Sequence, residues 1–173
     1  MLPADTPSIG IGGFQLKPLA LFSVDARILQ RRNYRYDRRA ALVPVDLALG
    51  WGPMSDQHVL DQLRISQSMR FYWYEYRLPS PIPVADIVSH SSNVHIIPAN
   101  AAIAARCKSL RAGALVHLSG DLVEATGPGV TNWRSSLSRT DTGNGACELL
   151  YLENIKEISV GLGASKGSVV ASE

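Results

Sequence analysis

The chain has 173 residues, enough for a sizeable core and few enough to favour one domain. Its apolar fraction of 46% and charged fraction of 18% are typical of a globular protein, and its net charge of +2 is too small to indicate a nucleic-acid-binding protein by itself. No stretch approaches the roughly 18 apolar residues of a membrane-spanning helix, and the N-terminus lacks the basic and apolar regions of a signal peptide.

The first predicted strand follows a segment rich in proline and glycine. We expect residues 1–13 to be flexible. The apolar segment from Phe14 to Leu29 predicts one long strand, or two strands broken near Pro18. The next stretch, RRNYRYDRR at 31–39, interleaves five arginines with two tyrosines and could contact phosphates and stack on bases. A charge run is more often a solvated hairpin or loop whose arginines pair with acidic neighbours, and we favour that interpretation.

Glycines and a proline interrupt the next segment, and a helix is predicted after them. Ser55 is placed to cap a helix that begins at Asp56. The apolar face of that helix would contain Val59, Leu60 and Leu63. The stretch SMRFYWYEYRLP then predicts a strand with three tyrosines on one face, Tyr72, Tyr74 and Tyr76. A row of tyrosines can form a binding platform, although such a strand is more often buried on both faces.

The second half of the chain alternates short helices with strands. A short helix is predicted from Val84 to Ser89, and NVHIIPA predicts a buried strand. Asn100 is placed to cap a further helix that Gly113 ends. The segment ALVHLSGDLVEAT predicts two strands or one strand bent at Gly120, and two more strands are predicted around the loop TDTGNG. We expect the tail over 159–173 to be flexible.

These elements predict a single α+β domain over residues 14–158. About five to seven strands alternate with two or three short helices, which is the pattern of a sheet with helices inserted between its strands. A mostly antiparallel, barrel-like sheet fits this order, and an OB-like barrel is one form of it. That likeness concerns the order of elements and carries no function with it.

The polar stretch SHSSNVHIIPAN contains two histidines. His90 and His95 are five residues apart, a spacing that puts them on different faces of a helix or of a strand. A local metal pair needs a spacing of four on a helix or an even spacing on a strand, so we expect none here unless the chain turns at Ser91 and Ser92. His95, which precedes two isoleucines, is the histidine that we expect to be buried.

A cysteine nucleophile is an alternative role for this region. Cys147 follows a glycine-rich loop, where His90 or His95 could be its base and Asp141 could orient the histidine. A cysteine at the start of an apolar strand is more often a core residue. Cys107 and Cys147 form no C-x-x-C pair, and the sequence allows either one disulfide or two thiols.

Common cofactor motifs are absent from the sequence. It contains no Walker A loop, no G-x-G-x-x-G fingerprint and no H-E-x-x-H motif. The loop TDTGNGA is the nearest approach to a phosphate cradle, but no predicted helix follows it to supply a dipole. We therefore expect neither a cofactor nor a metal ion.

Several long stretches of the chain resemble one family. They are PVDLALGWGPMSD, SHSSNVHIIPAN and WRSSLSRTDTGNGACELLYL, together with GFQLKPLALFSVDARIL and GDLVEA. The resemblance is to a family of small uncharacterised bacterial proteins, and it spans roughly Phe14 to Leu152. It implies no established activity. Members often carry an N-terminal anchor or export signal, so the resemblance implies a periplasmic or membrane-associated location, with the cytoplasm as the alternative. Membrane contact would be made only by a segment outside this sequence.

The candidate site residues come from separate loops and strands. The binding candidates are Trp51, Asp56, Tyr72, Tyr74, Trp133 and Arg139. The catalytic candidates are His90, His95, Asp141 and Cys147. A polar pocket has this composition, and so does a buried hydrogen-bond network that fixes loop geometry, which is the interpretation that we favour.

The sequence therefore favours a non-catalytic binding or accessory domain of a bacterial envelope or membrane-associated system. Its partner would be a protein or a small polar ligand, and nucleic acid is disfavoured. The first alternative is a small hydrolase that uses His90 or His95 with Cys147 or Asp141. The second is weak nucleic-acid binding through the run at 31–39, which would depend steeply on salt.

Overall fold

The computed structural model describes residues 1–3, 5–138 and 147–158, and this part of the chain contains nine strands and three α-helices. The strands are β1 (Ile9–Ile11), β2 (Phe14–Asn33), β3 (Val45–Gly50), β4 (Leu63–Ser68), β5 (Phe71–Tyr76), β6 (Ser91–Pro98), β7 (Leu115–Gly127), β8 (Val130–Arg134) and β9 (Glu148–Glu157). The helices are α1 (Gln57–Leu60), α2 (Val84–Ser89) and α3 (Ala101–Ser109), and a 3₁₀ helix spans Gly52–Ser55.

Five of the strands form a ring. The main sheet has the order β1-β2-β3-β6-β9-β7-β8, and β2 also pairs with β7, so β2, β3, β6, β9 and β7 close on one another. All pairs in this sheet are antiparallel except β6 with β9. The predicted α+β class with a mostly antiparallel, barrel-like sheet is confirmed.

Alternating burial along the strands fills the inside of the ring. Every second residue of β2 from Phe22 to Ile28 is buried, because successive side chains of a strand point to opposite faces. The same core takes Val45, Leu47 and Leu49 from β3, with further side chains from β6, β7 and β9. Full burial of each such side chain contributes about 1.5–3 kcal/mol to folding.

A second layer covers the outer face of β3. The β4–β5 hairpin brings Ile65 and the tyrosines of β5 against an apolar cluster that includes Ala48 of β3, Met54 and Ile87. As a result, all six residues of β3 are buried, including those that point away from the ring. The outer face of β3 is therefore an interior surface of the protein.

The predicted helix after Gly52 is shorter than expected and has a different cap. Asp56, rather than Ser55, caps α1, because its carboxylate accepts the backbone N–H of His58 at 2.8 Å. The hydroxyl of Ser55 donates to the carbonyl of Gly52 at 2.7 Å instead. Leu63 begins β4, where every second side chain faces the core, so the period of two prevails over the predicted helical period.

The predicted strand in SMRFYWYEYRLP begins three residues late, at Phe71. Ser68 and Phe71 pair across a two-residue turn made of Met69 and Arg70, with φ angles of 51° and 69°. Turns of this hand favour asparagine and glycine. The sequence has neither at this position, which is why the hairpin was not predicted.

The other elements agree closely with their predictions. Helix α2 has the predicted bounds, and Asn100 caps α3 by accepting the backbone N–H of Ile103 at 3.0 Å. Helix α3 ends at Ser109, before Gly113. Strand β7 is continuous, with an irregular register at Gly120, where a Cβ atom would lie 2.0 Å from the carbonyl oxygen of Tyr151.

The segment from Phe14 is one long strand with a register shift beside Pro18. Proline has no N–H for the ladder and is tolerated where pairing is irregular. The predicted loop TDTGNG and the tail over 159–173 lie outside the described residues. Among the helices that the structure describes, none is long and apolar enough to cross a membrane.

Candidate functional site

The outer face of the ring contains a fully buried aspartate. Asp46 of β3 lies opposite His95 of β6, and its Oδ1 atom is 2.9 Å from Nδ1 of His95. The exposed fraction is 0% for Asp46 and 4% for His95. Because water cannot reach this carboxylate, neighbouring protein groups have to supply its hydrogen bonds.

Arg70 supplies the main positive charge beside Asp46. From the turn of the β4–β5 hairpin, its Nη1 donates to Oδ1 of Asp46 at 3.2 Å and to the carbonyl of Val43 at 2.9 Å. Its Nη2 donates to both carboxylate oxygens of Asp37 at 2.7 Å. The guanidinium carbon also lies 3.6 Å from the ring centroid of Tyr34. One side chain thus joins the hairpin, β3 and the segment after β2.

Two amide side chains extend these contacts. Nε2 of Gln67 donates to Oδ1 of Asn93 at 2.6 Å, and Nδ2 of Asn93 donates to the carbonyl of Arg70 at 3.1 Å. The same Nδ2 atom lies 3.4 Å from Oδ2 of Asp46. We call these residues the buried network: Tyr34, Asp37, Asp46, Gln67, Arg70, Asn93 and His95.

Three polar atoms of the buried network have no hydrogen-bond partner within the described residues. They are the hydroxyl of Tyr34, Oε1 of Gln67 and Nε of Arg70. Buried atoms of this kind are usually bonded to protein or to ordered water. The network is therefore extensive, but the protein groups around it leave some of its bonding capacity unused.

The charges in the network shift two pKa values. Burial by itself would raise the pKa of Asp37, but hydrogen bonds from Arg70 and from the backbone of Arg39 outweigh it and hold the pKa below its usual range. Burial, followed by the charge of Asp46, raises the pKa of Tyr34 to about 12. Both shifts favour the carboxylate of Asp37 and the neutral phenol of Tyr34 at neutral pH.

Trp133 of β8 lies between the buried network and the surface. Its ring centroid lies 4.9 Å from that of His95. The guanidinium carbon of Arg39 lies 4.4 Å from the centroid of the same indole ring. Trp133 is half-buried. The indole therefore shields His95 and supports an arginine at the surface.

The arginine-rich stretch 31–39 forms the end of β2 and the loop beside Trp133. Arg32, Arg35, Arg38 and Arg39 are exposed, and Tyr36 is 95% exposed. The single acid of the stretch, Asp37, is bonded to Arg70. None of the five arginines forms an ion pair within the described residues. The expected solvated loop is present, but in the part of the chain that the structure describes its arginines pair with no acidic neighbour.

His90 has different partners from His95. Its Nδ1 atom lies 2.9 Å from the carbonyl oxygen of Asp86 and 3.0 Å from the hydroxyl of Ser89, at the end of α2. Its own carbonyl accepts the backbone N–H of Trp51 at 2.9 Å. Both histidines thus anchor neighbouring segments, and His95 is the more buried one, as predicted. In the described ranges, no group of three His, Cys, Asp or Glu residues could hold a metal ion.

The two cysteines lie in different surroundings, and no disulfide joins them. Cys107 of α3 is buried in the core, and this burial raises the pKa of its thiol to about 12. Cys147 is half-buried before β9, and its carbonyl accepts the backbone N–H of Ser136 at 3.2 Å. The buried carboxylate of Glu148 next to it accepts a hydrogen bond from Ser92.

Two of the predicted site residues, Arg139 and Asp141, lie outside the described residues. The proposed arrangement of Cys147 with Asp141 and a histidine therefore stays a prediction. Asp56 is occupied as the cap of α1. The structure brings the remaining candidates together in separate pairs: His95 with Trp133, His90 with Trp51 and Tyr72 with Tyr74.

The tyrosine row of β5 faces the protein rather than the solvent. Tyr72 and Tyr74 pack against the apolar cluster under the hairpin, and the hydroxyl of Tyr72 lies 2.6 Å from that of Ser91. Burial raises the pKa of Tyr72 to about 12. The opposite face of β5 exposes Trp73, whose ring is 6.3 Å from that of Phe71. The tyrosines are thus the packing face of the hairpin.

Sequence reasoning missed the residue that joins the site together, Arg70. Its partners Asp37 and Asp46 are 33 and 24 residues away in the chain. The signal that could have indicated its position is the pair of alternating segments LRISQS and FYWYEY, which are separated by two residues. Two such segments indicate a hairpin, even where the turn residues are unusual.

Comparison of the chain with protein-family models and with curated proteins finds no match. The resemblance described above therefore stays a prediction.

Proposed function

We propose that the protein is a non-catalytic binding domain that binds an anionic partner at one surface. We call it the arginine surface, and it consists of Arg32, Arg35, Tyr36, Arg38, Arg39 and Trp133. The observation that carries the proposal is that its exposed arginines have no carboxylate partner within the described residues. Like charges on one short stretch of chain repel one another, and a bound anion would offset that repulsion with charge-assisted hydrogen bonds.

The buried network supports this surface from below. Arg70 holds Asp37 in the middle of the loop, and His95 and Arg39 hold the indole of Trp133. A surface that is already ordered loses less conformational entropy when it binds a partner. In this proposal the buried polar residues are structural, and the exposed ones bind.

The proposal keeps the wider setting that the sequence favoured. The domain would serve an envelope or membrane-associated system of a bacterium, in a periplasmic or membrane-associated location. An OB-like form of the five-stranded ring also belongs to the proposal, since small barrels of that type use their outer surface and loops for binding.

The test compares two sets of three arginines. Binding to heparin, to a single-stranded DNA oligonucleotide and to anionic lipid vesicles is measured at about 50 mM and about 200 mM salt, where binding to a polyanion has to weaken. The test variant carries Arg35→Ser, Arg38→Ser and Arg39→Ser. The matched control carries Arg64→Ser, Arg77→Ser and Arg111→Ser, which remove three exposed arginines elsewhere.

We expect the wild type to bind at least one of these polyanions. The test variant should then bind it at least tenfold more weakly, and the control should stay within about twofold. The absence of binding at low salt would contradict the proposal. Equal losses in the two variants would contradict it too, because only net charge would then matter.

A second candidate function rests on the contact between Asp46 and His95. A carboxylate bonded to Nδ1 is how a general base is oriented in nucleophilic catalysis. Against it, His95 is buried and its ring packs on Trp133. Hydrolysis of a panel of aryl esters and thioesters tests this candidate, and activity that disappears in both His95→Gln and Cys147→Ser would favour it.

A further inference from the structure

The tip of the β4–β5 hairpin combines backbone strain with an exposed apolar side chain. Met69 is 86% exposed and has a φ angle of 51°, in the left-handed region that side chains other than asparagine and glycine seldom adopt. An exposed methionine in such a turn adds no packing to the fold. Unfavourable backbone geometry of this kind, where the rest of the structure enforces it, is often associated with a functional surface.

This tip lies beside the arginine surface. The guanidinium of Arg70 binds the carboxylate of Asp37 at 2.7 Å. Met69 directly precedes Arg70 in the sequence, and Tyr36 directly precedes Asp37. Two highly exposed large hydrophobic side chains, Tyr36 at 95% and Met69 at 86%, are therefore carried on loops that are bonded to each other. The Arg70–Asp37 pair thus links the hairpin tip that carries Met69 to the loop that carries the exposed arginines.

We propose that this region docks the protein on an anionic lipid bilayer, with Met69 and Tyr36 entering the interface and the arginines contacting headgroup phosphates. The inference rests on the proposed function and names its partner. A methionine side chain is apolar, and tyrosine is enriched at the membrane–water interface, where its ring is apolar and its hydroxyl is hydrated. Arginines beside them can keep their charge at the headgroups while their methylene stems lie along apolar surface.

The composition of the region favours a bilayer over other polyanions. A single-stranded nucleic acid would use the arginines and could stack on Tyr36 or Trp133, but it offers nothing that requires an apolar methionine. An acidic peptide would likewise use the charges alone. A bilayer with anionic headgroups takes both kinds of side chain at once, because its charged surface lies directly above its apolar interior.

The experiment separates the apolar contribution from the charges. Partition of the whole protein is measured on vesicles of equal parts phosphatidylcholine and phosphatidylglycerol, and on phosphatidylcholine alone. The apolar variants are Met69→Asn and Tyr36→Asn. The matched control is Leu21→Thr, which removes another largely exposed apolar side chain (74% exposed) from β2, in the part of that strand that pairs with β7.

Met69→Asn is suited to this test because asparagine tolerates the positive φ angle, so the turn should remain intact. We expect the protein to bind the vesicles that contain phosphatidylglycerol and not those of pure phosphatidylcholine. Met69→Asn should weaken it about fivefold, in line with losing one partly buried apolar side chain. Arg35→Ser with Arg38→Ser should weaken it about 25-fold, from roughly fivefold for each arginine. Leu21→Thr should stay within about twofold of wild type.

The remaining outcomes separate this inference from the proposed function. Binding to the DNA oligonucleotide that requires the arginines, without binding to the anionic vesicles, would overturn the bilayer and leave the proposed function standing. Vesicle binding that neither Met69→Asn nor Tyr36→Asn weakens would overturn the insertion of these two side chains into the bilayer. The absence of binding to every polyanion would overturn the inference together with the proposed function.

Discussion

Two kinds of arginine lie side by side at one end of the molecule, in surroundings that differ. The guanidinium of Arg70 is bonded to Asp37, Asp46 and the carbonyl of Val43, and it stacks on Tyr34. The exposed arginines of the loop 31–39 have no carboxylate partner in the described part of the chain. A charge that is buried in the interior needs opposite charges and hydrogen-bond acceptors from the protein itself, whereas charges at the surface remain available to a partner.

The largest expected effect comes from removing the interior arginine. Arg70→Met leaves the fully buried carboxylate of Asp46 without its cationic partner, which should lower the free energy of unfolding by about 3–5 kcal/mol. Urea denaturation of the variant measures this loss. Arg64→Met, at an exposed position on β4, is the matched control and should change stability by less than about 0.5 kcal/mol. A loss in Arg70→Met no larger than the control's would mean that the network does not stabilise the fold.

The two histidines should differ in their contributions to stability. His95→Ala removes a buried partner of Asp46 and a ring that packs on Trp133, so it should lower stability by about 1–3 kcal/mol. His90→Ala removes contacts at a half-buried helix end and should have a smaller effect. Thermal midpoints of both variants, measured alongside the folded spectrum, test this order. Equal midpoints would contradict the structural role assigned to His95.

Asp37 connects the two arginine environments and should give a smaller, pH-dependent effect. Its pair with Arg70 is partly exposed, so Asp37→Asn should lower stability by about 0.5–1 kcal/mol at neutral pH. Because the folded pKa is lowered, this contribution is present above the unfolded pKa of about 3.9 and is lost as pH falls through the folded pKa. Stability measured from pH 7 down to pH 2 should therefore fall less steeply below pH 4 in Asp37→Asn than in wild type.

Tyr34 should give the smallest effect. Its buried hydroxyl makes no hydrogen bond of normal geometry within the described residues, although Asp46 lies close enough to help raise its pKa, so Tyr34→Phe should change stability at neutral pH by about 0.5 kcal/mol or less. With a folded pKa of about 12, the neutral phenol contributes stability below the unfolded value near 10, and this is lost as pH rises to 12. The variant should lose less stability than wild type over that range. An identical alkaline decline would show that Tyr34 does not titrate with the fold.

Local sequence signals were sufficient for most of the elements. Helix α2 followed from the prolines that precede it, and α3 followed from its cap at Asn100. Alternation predicted the long strand from Phe14, and the short apolar run NVHIIPA predicted the buried strand that contains His95. These signals act over a few residues, where periodicity and capping decide the structure.

The remaining features depend on contacts between distant parts of the chain. The hairpin turn at Met69 and Arg70 lacks the asparagine and glycine that mark such turns. The contact of Arg70 with the distant Asp46 stabilises this turn instead. The pairing of Asp46 with His95 joins positions 49 residues apart. No local pattern encodes such a register, so the buried network could be suspected from its residue types but could not be assembled.

The parallel pair of β6 and β9 has a consequence for the order of assembly. Strand β9 is the last described strand in the chain, yet it lies between β6 and β7. Both neighbouring strands are synthesised before β9, and each has an unpaired edge until β9 has been made and has folded against it. Unpaired edges are the positions at which one chain adds to another, so this interval is when the protein is most prone to aggregate during synthesis. A chain that stops before Glu148 would keep those edges permanently.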